Sequence, residues 1–197
     1  MGKVIMQASM SLDGFIADPA DRVGPLFDWY ANGDTAFAGG DPNRVFHVSA
    51  ASAAYLGRAW ATIGAEVIGR RLFDLTDGWD GRPAVGDAVF VVTHQAPADW
   101  KHPDAPFTFV TDGVASAVAQ AKAFAGERDV SVTPGNVGGQ ALAAGLVDEV
   151  RVDLVPAILG AGVRYFGEYA GSPLLLENPE IVQGDRVTHL IYRLKPA

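Results

Sequence analysis

The sequence predicts an α/β protein whose sheet is mixed but mostly parallel, with antiparallel strands closing its C-terminal edge. Three observations carry that expectation. Apolar runs end in polar or glycine-bearing turns three times in order, at Val67-Ile68-Gly69-Arg70-Arg71, Val91-Val92-Thr93-His94 and Val130-Ser131-Val132-Thr133-Pro134-Gly135-Asn136. Strand-type and helix-type segments alternate through the middle of the chain, which implies parallel pairing by right-handed crossovers. Beyond Val147 the pattern changes to two β-type runs, Val147 to Leu159 and Val187 to Leu194, with no helix pattern between them. Both read as antiparallel edge strands.

Taken in order, Lys3 to Met10 form an opening strand, Ser11-Leu12-Asp13-Gly14 turns the chain, and Phe15-Ile16-Ala17 continues it. From Asp18 to Asn43 the chain is rich in Gly, Pro, Asp and Asn yet carries Leu26, Phe27, Trp29, Tyr30 and Phe37. A long loop with aromatics reads as a lid or binding loop over residues 18–48, although a loop packed on the core has the same composition. Ser49 is a favourable N-cap for a helix 49–63, with Leu56, Ala59, Trp60 and Ile63 on one face and Gly64 as its C-cap. A strand over 65–68 leads into a short helix that opens at Gly69-Arg70-Arg71, and strands follow at 88–92 and 107–110. Helix 113–125, capped by Thr111 or Asp112, puts Val114, Ala117, Val118 and Ala121 on one face. Strand 130–133 and a short helix near 137–145 complete the third unit.

Composition narrows the functions. At 197 residues and 49% hydrophobic, the chain supports one core and reads as a single domain, 1–197. Its 15 basic and 23 acidic residues give a net charge of −8, which disfavours nucleic acid. With no cysteine there is no disulfide, thiolate nucleophile or cysteine-ligated metal. The N-terminus lacks the apolar core of a signal peptide, and no apolar run approaches the roughly 20 residues of a membrane span, so a cytoplasmic protein is expected. His94, Asp99, His102 and Asp104 match no standard ligand spacing, and Pro97 and Pro103 interrupt them; no metal is expected. A hydrolase is disfavoured because no Gly-x-Ser-x-Gly elbow is present. Gly160-Ala161-Gly162 has Tyr165 where a dinucleotide fingerprint needs its third glycine, and reads as a turn.

The three polar turns suit phosphate. Glycine lets a ligand approach the backbone, a guanidinium grips phosphate through paired hydrogen bonds, and helix N-termini attract anions at the carboxyl ends of parallel strands. Three such turns suggest one extended phosphorylated cofactor. Two exposed arginines balancing an acidic surface are the plainer reading of Arg70 and Arg71.

Three pieces in this order and spacing, Met10-Ser11-Leu12-Asp13-Gly14-Phe15-Ile16-Ala17, Ile68-Gly69-Arg70-Arg71-Leu72-Phe73, and Leu146-Val147-Asp148-Glu149-Val150 running into Val155-Pro156-Ala157-Ile158-Leu159-Gly160, carry a resemblance. The chain resembles the dihydrofolate reductase-like superfamily and, within it, the reductase domain of bacterial riboflavin biosynthesis. The resemblance covers nearly everything except residues 18–48. It implies a three-layer α/β/α fold and hydride transfer from NADPH to a pyrimidine- or pterin-like heterocycle. It also implies where the cofactor lies: phosphates at Gly69, Arg70 and Arg71, with Arg70 near the adenosine 2′-phosphate; adenosine beside Thr93 and His94; pyrophosphate at Gly135, Asn136 and Val137; nicotinamide by Ala8, Ile16 and Ala17. Gln7 and Ser9 then face the substrate, and Trp29 of the aromatic loop joins them. Asp13 is the candidate catalytic acid, although Asp before Gly is equally a turn former.

The chain departs from that pattern at three places. Leu72 stands where relatives commonly carry a threonine hydroxyl. Pro134 takes the first position of a usual Gly-Gly pair and removes an N–H. Helix 49–63 contains no Asp or Glu, where folate reductases place a carboxylate, which argues against folate. The leading reading is a reductase similar to the 5-amino-6-(5-phosphoribosylamino)uracil reductase of riboflavin biosynthesis, although only Arg44, Arg58 and Arg164 are candidates for a substrate phosphate. The alternatives are a related reductase of another substrate, or a nucleotide-binding protein without turnover. A homodimer built through Val150, Val152, Leu154 and Val155 with Leu190, Ile191 and Tyr192 is the expected assembly.

Overall fold

The computed structural model describes residues 2–39 and 43–194. In chain order its strands are β1 (Val4–Ser11), β2 (Phe15–Ala17), β3 (Thr35–Ala38), β4 (Val45–Val48), β5 (Ile63–Gly69), β6 (Val89–Val92), β7 (Phe107–Val110), β8 (Asp129–Val132), β9 (Glu149–Val155), β10 (Val163–Arg164), β11 (Glu180–Gln183) and β12 (Thr188–Arg193). The α-helices are α1 (Ala50–Ala61), α2 (Arg70–Thr76), α3 (Val114–Ala125) and α4 (Asn136–Ala143), and a 3-10 helix spans Gly24–Ala31. Eight strands form one sheet in the order β11-β12-β9-β1-β8-β5-β6-β7.

Alternation along β1 explains the layering, because successive side chains of a strand point to opposite faces. Val4 and Met6 join the cluster formed with α3 and α4, including Val130, Val132, Ala117, Ala121 and Ala141. On the opposite face α1 and the 3-10 helix cover Val155, Val187 and Ile191, while α2 sets Phe73 on Ile68, Val89 and Val91. Helices on both faces of a mostly parallel sheet give the expected three layers.

Several expectations need correction. The run from Val147 pairs antiparallel with β12, as expected, but it is not an edge strand: β9 also pairs parallel with β1 from Ile5↔Glu149 to Ser11↔Val155, and the edge is taken by β11. The reason is position: β9 follows the crossover through α4 and lands beside the central strand. Residues 15–17 do not extend β1 but pair with β10 in a separate ribbon. Residues 18–48 are not all loop, since they contain the 3-10 helix and the β3–β4 hairpin. Their aromatics pack together, Tyr30 on Phe46 at 4.6 Å and Phe37 on Trp60 at 5.3 Å. Helix α1 stops at Ala61 with Thr62 as its C-cap, so Ile63 and Gly64 belong to β5. Gly113, rather than Thr111 or Asp112, stands at the N-cap of α3.

The apolar surplus attributed to a dimer interface is largely used within the chain. Val150 and Val152 are buried, and Leu190 and Tyr192 pack against the same core. Tyr165 fastens this side of the sheet: its ring is fully buried, and its hydroxyl lies 2.7 Å from the Arg151 carbonyl and 3.1 Å from that of Met6. Removing that donor leaves buried acceptors short of a partner, at a cost of about 1–2 kcal/mol. Tyr165→Phe is therefore expected to lower the unfolding free energy by that amount in urea melts, with an unchanged far-UV spectrum.

Candidate active site

The three polar turns lie at the carboxyl ends of β8, β5 and β6, which are neighbours in the sheet. Gly69 caps α2 in an extended conformation, and a Cβ there would stand 3.1 Å from Val137 of α4. The starts of the two helices therefore approach each other because this position is glycine. Gly135, with φ +87°, turns the chain from β8 into α4, a backbone state that side chains other than glycine rarely adopt. A Cβ on it would meet Ile16 at 3.7 Å, so Ile16 stands beside the third turn. The Gly135 N–H already donates to the Tyr165 carbonyl at 2.8 Å. Asn136 and Val137 supply the free N–H groups of that helix start.

Arg70 joins the first turn to the second. Its Nε pairs with Asp74 at 2.7 Å, and its Nη1 reaches the Gln95 carbonyl at 2.8 Å and Thr93 Oγ1 at 3.5 Å. Thr93 Oγ1 donates to the same Gln95 carbonyl at 2.8 Å, and His94 beside it is exposed. Arg71 points elsewhere, pairing through Nε with Asp21 at 2.9 Å and so tying α2 to the 18–48 segment. Ala8 and Ile16 pack at the edge of the core and Ala17 is buried. Gly162 lies against Ala17, where a Cβ would collide with the Ala17 carbonyl, while Gly160 turns the chain at φ +77°.

Asp13 works as a clasp. Its Oδ1 accepts from Ser11 Oγ at 2.6 Å and from the Leu159 N–H at 3.1 Å, and its Oδ2 accepts from the Gly160 N–H at 2.7 Å. The Ser11 hydroxyl above all, then the Gly160 and Leu159 amides, hold its carboxyl below the usual carboxylate range. In this arrangement it is ionised at neutral pH and joins the turn after β1 to the loop after β9.

Gln7, Ser9 and Trp29 come together on the face beneath α1. Gln7 Nε2 donates to Ser131 Oγ at 3.2 Å, and Trp29 Nε1 donates to Ser9 Oγ at 3.1 Å. Trp29 is buried and stacks on Tyr30 at 3.9 Å. The same face holds residues the sequence reading passed over. Ser9 pairs in register with Asp153 of β9, which pairs with His189 of β12. His189 Nδ1 is 2.6 Å from Asp153 Oδ1 and its Nε2 is 2.9 Å from Ser52 Oγ. A carboxylate only accepts, so Nδ1 carries the proton and Nε2 accepts from the serine. Burial first, then the negative charge of Asp153, pushes the Tyr30 and Tyr55 phenols upward, so both keep their protons. Ser52 and His189 are essentially inaccessible, so their order with Asp153 is not a hydrolytic triad in function. The signal for Asp153 was Glu149-Val150-Arg151-Val152-Asp153, a charged stripe on one side of a strand whose other side is apolar.

One further acid sits on this face. Glu66 of β5 lies across from Ser131, is buried, and its Oε2 has no hydrogen-bond partner. Burial pushes its carboxyl up to about 8, against the opposing charge of Arg44.

Fold and site together define a dihydrofolate reductase-like α/β/α protein with a helix-start rim on one side and a polar sheet face on the other. Within that class, residues 2–190 match the RibD C-terminal domain, and the chain belongs to that family. No curated protein sequence matches it. Among solved structures it is similar to a provisionally named riboflavin biosynthesis protein from Shewanella sp. PV-4, at 24% identity over 100% of both chains with a TM-score of 0.68. It is also similar to a Thermotoga maritima diaminohydroxyphosphoribosylaminopyrimidine deaminase/5-amino-6-(5-phosphoribosylamino)uracil reductase, at 16% identity and TM-score 0.61. That match covers 98% of this chain and 56% of the other. Dihydrofolate reductase from Enterococcus faecalis, complexed with NADP(H), aligns at 15% identity over 99% and 98% of the two chains with a TM-score of 0.59. At these identities the likeness shows the fold.

Glu66 gives stability a pH signature. Its folded-state pKa is raised from 4.5 to about 8, so between those values the folded chain holds a proton that the unfolded chain has released. Stability therefore falls as pH rises through that window and levels off above it. A full shift is worth on the order of a few kcal/mol, at about 1.4 kcal/mol per unit. The Glu66→Gln variant is expected to match wild type near pH 5 and to exceed it above pH 8 in denaturant titrations.

Proposed function

We propose that this chain is an NADPH-dependent reductase that passes a hydride to a planar pyrimidine- or pterin-like heterocycle, similar to the reductase step of riboflavin biosynthesis. The observation that carries this reading is the meeting of Gly69, Arg70, Thr93, Asn136 and Val137 at three neighbouring strand ends, with Ile16 beside them. Membership of the RibD C-terminal domain family supports it. The glycine cradle at 69 and 135 fits a dinucleotide phosphate chain, and the guanidinium of Arg70 fits the adenosine 2′-phosphate. When bound there, the nicotinamide supplies the hydride, and the protein's part is orientation. Arg70 binds the 2′-phosphate, exchanging its contact with Asp74 or the Gln95 carbonyl for a charged oxygen. Ile16 and Ala17 border the nicotinamide end, and Gln7, Ser9 and Trp29 define the substrate side.

The same reading makes the protein a cytoplasmic homodimer. The exposed Ile181 on edge strand β11 offers apolar surface for a partner copy. A non-catalytic nucleotide binder is the second reading, favoured by the absence of any acid on α1. It predicts cofactor binding with no NADPH oxidation by any oxidised heterocycle.

A thermal-shift titration tests the assignment, because a ligand that binds the folded state raises the melting temperature. NADPH is expected to stabilise the wild type more than NADH does. Arg70→Ala should weaken NADPH binding by about 1.5–3 kcal/mol, the range for hydrogen bonds to charged groups, with little effect on NADH. No shift with either nucleotide would sink the nicotinamide assignment.

A further inference from the structure

We propose that Asp153 is the residue that recognises the substrate ring, by accepting its N–H groups, and that His189 is the positioning residue that sets the carboxylate's orientation. The ligand class is a planar nitrogen heterocycle carrying N–H donors on its edge, of the aminopyrimidine type. The proposal rests on the reductase reading for its setting and goes beyond it in naming the recognition group.

Its first support is placement. Asp153 lies in register between Ser9 of the central strand and His189 of β12, on the face that α1 covers. Helix α1 has no acid of its own, and its one charged residue, Arg58, is exposed. The acid beneath the helix comes from the sheet. The Asp153 side chain keeps 14% of its surface exposed, whereas that of His189 keeps none. Oδ1 is taken by His189, and among the described residues no group donates to Oδ2. Nor does a cation neutralise the pair from nearby. Arg151, two residues back on the same face, is held by Glu149 at 2.6 Å, and Glu149 also receives Lys3 at 3.0 Å.

The surroundings fix what such a carboxylate can bind. Trp29, Tyr30 and Tyr55 provide aromatic walls, with Tyr55 stacked on His189 at 4.3 Å and Trp29 edge-on to it at 5.3 Å. Flat rings beside one acceptor-only group favour a flat ligand that offers hydrogen-bond donors. A ring presenting a methyl group or a lone pair there would leave Oδ2 buried without a partner, which is the basis of strong discrimination.

His189 explains why the carboxylate is fixed. Its Nδ1–H donates to Oδ1, its Nε2 accepts from Ser52, and Ser52 is bonded to Ser49, the N-cap of α1, through both hydroxyl and backbone N–H. The first turn of α1 thus holds the ring, the ring holds Oδ1, and the plane of the carboxyl follows.

The test is calorimetric titration of the full chain with 2,4-diaminopyrimidine and its isostere 2,4-dimethylpyrimidine, each with and without saturating NADPH. Wild type is expected to prefer the diamino ring at least tenfold. Asp153→Asn keeps the shape, replaces one acceptor oxygen with an N–H donor, and should erase that preference. Ser52→Ala, which touches no ligand, and His189→Gln should each reduce the preference severalfold while the NADPH thermal shift stays at the wild-type value. A general loss of structure would weaken both rings and the cofactor together, so the ratio between rings reports positioning. An unchanged preference in Asp153→Asn, or no binding of the diamino ring to wild type, overturns the recognition role. An unchanged preference in both His189→Gln and Ser52→Ala overturns the positioning role. Absence of an NADPH shift would defeat the reductase reading alone, because the cofactor-free titrations still decide on Asp153.

Discussion

The central strand β1, held between two parallel neighbours, is the constraint on which the rest of the molecule depends. β8 pairs on one side and β9 on the other, so β1 has no free edge and both of its faces are covered. Its inward side, with Val4 and Met6, anchors the core with α3 and α4. Its other side changes character along the strand, from Ile5 through Gln7 to Ser9. That gradient from apolar to polar toward the carboxyl end sets where chemistry can occur. The turn that follows is clamped by Asp13 to residues 159 and 160, which fixes the loop after β9 against the end of β1.

A polar face buried beneath a helix costs stability unless its groups are paired, at about 1–3 kcal/mol for each orphaned group. Most of the groups here are satisfied within the chain: Gln7 with Ser131, Ser9 with Trp29, Arg151 with Glu149, His189 with Asp153 and Ser52. Two acids are not fully satisfied. Glu66 meets the problem by holding its proton, since nothing donates to or pairs closely with its buried Oε2. Asp153 keeps some exposure and an imidazole N–H on one oxygen. The two acids differ because one is buried in the sheet between Val89 and Ser131, its register partners, while the other keeps part of its side chain exposed.

Much of this was legible in the sequence. Gly69, Arg70 and Thr93 could be read as one rim because their strands are neighbours and turn residues keep their chemistry wherever the strand ends. The three-layer architecture followed from alternating patterns. The parallel pairing of β9 with β1 was not legible, because a β-type run has the same periodicity at an edge or beside the central strand and the crossover before it, α4, is only eight residues long. The 18–48 segment looked like a loop because its strands are four residues each and its helix is of the 3-10 type, too short for a periodic signal. Asp153 and His189 were missed for a different reason. They lie 36 positions apart and meet only through strand register, which no local motif records.

A carboxylate supplied by the sheet behaves differently from one supplied by a helix. Helix α1 sits at the surface, with Arg58 and Gly57 exposed. β9 cannot shift without breaking its pairing to β1 and β12 along seven and six registered residues. Placing the acid on β9 ties its backbone to the same sheet as Ala8 and the carboxyl-end turns, so the spacing between the proposed ring-binding and phosphate-binding sides is set by strand register, while the first turn of α1 fixes the plane of the carboxyl through Ser52 and His189. The helix contributes the Tyr55 ring and the Ser49–Ser52 turn that steadies His189. Preorganised geometry of this kind is what the proposed hydride transfer would need, since reacting atoms must approach to about 3–3.5 Å and small misplacements are costly.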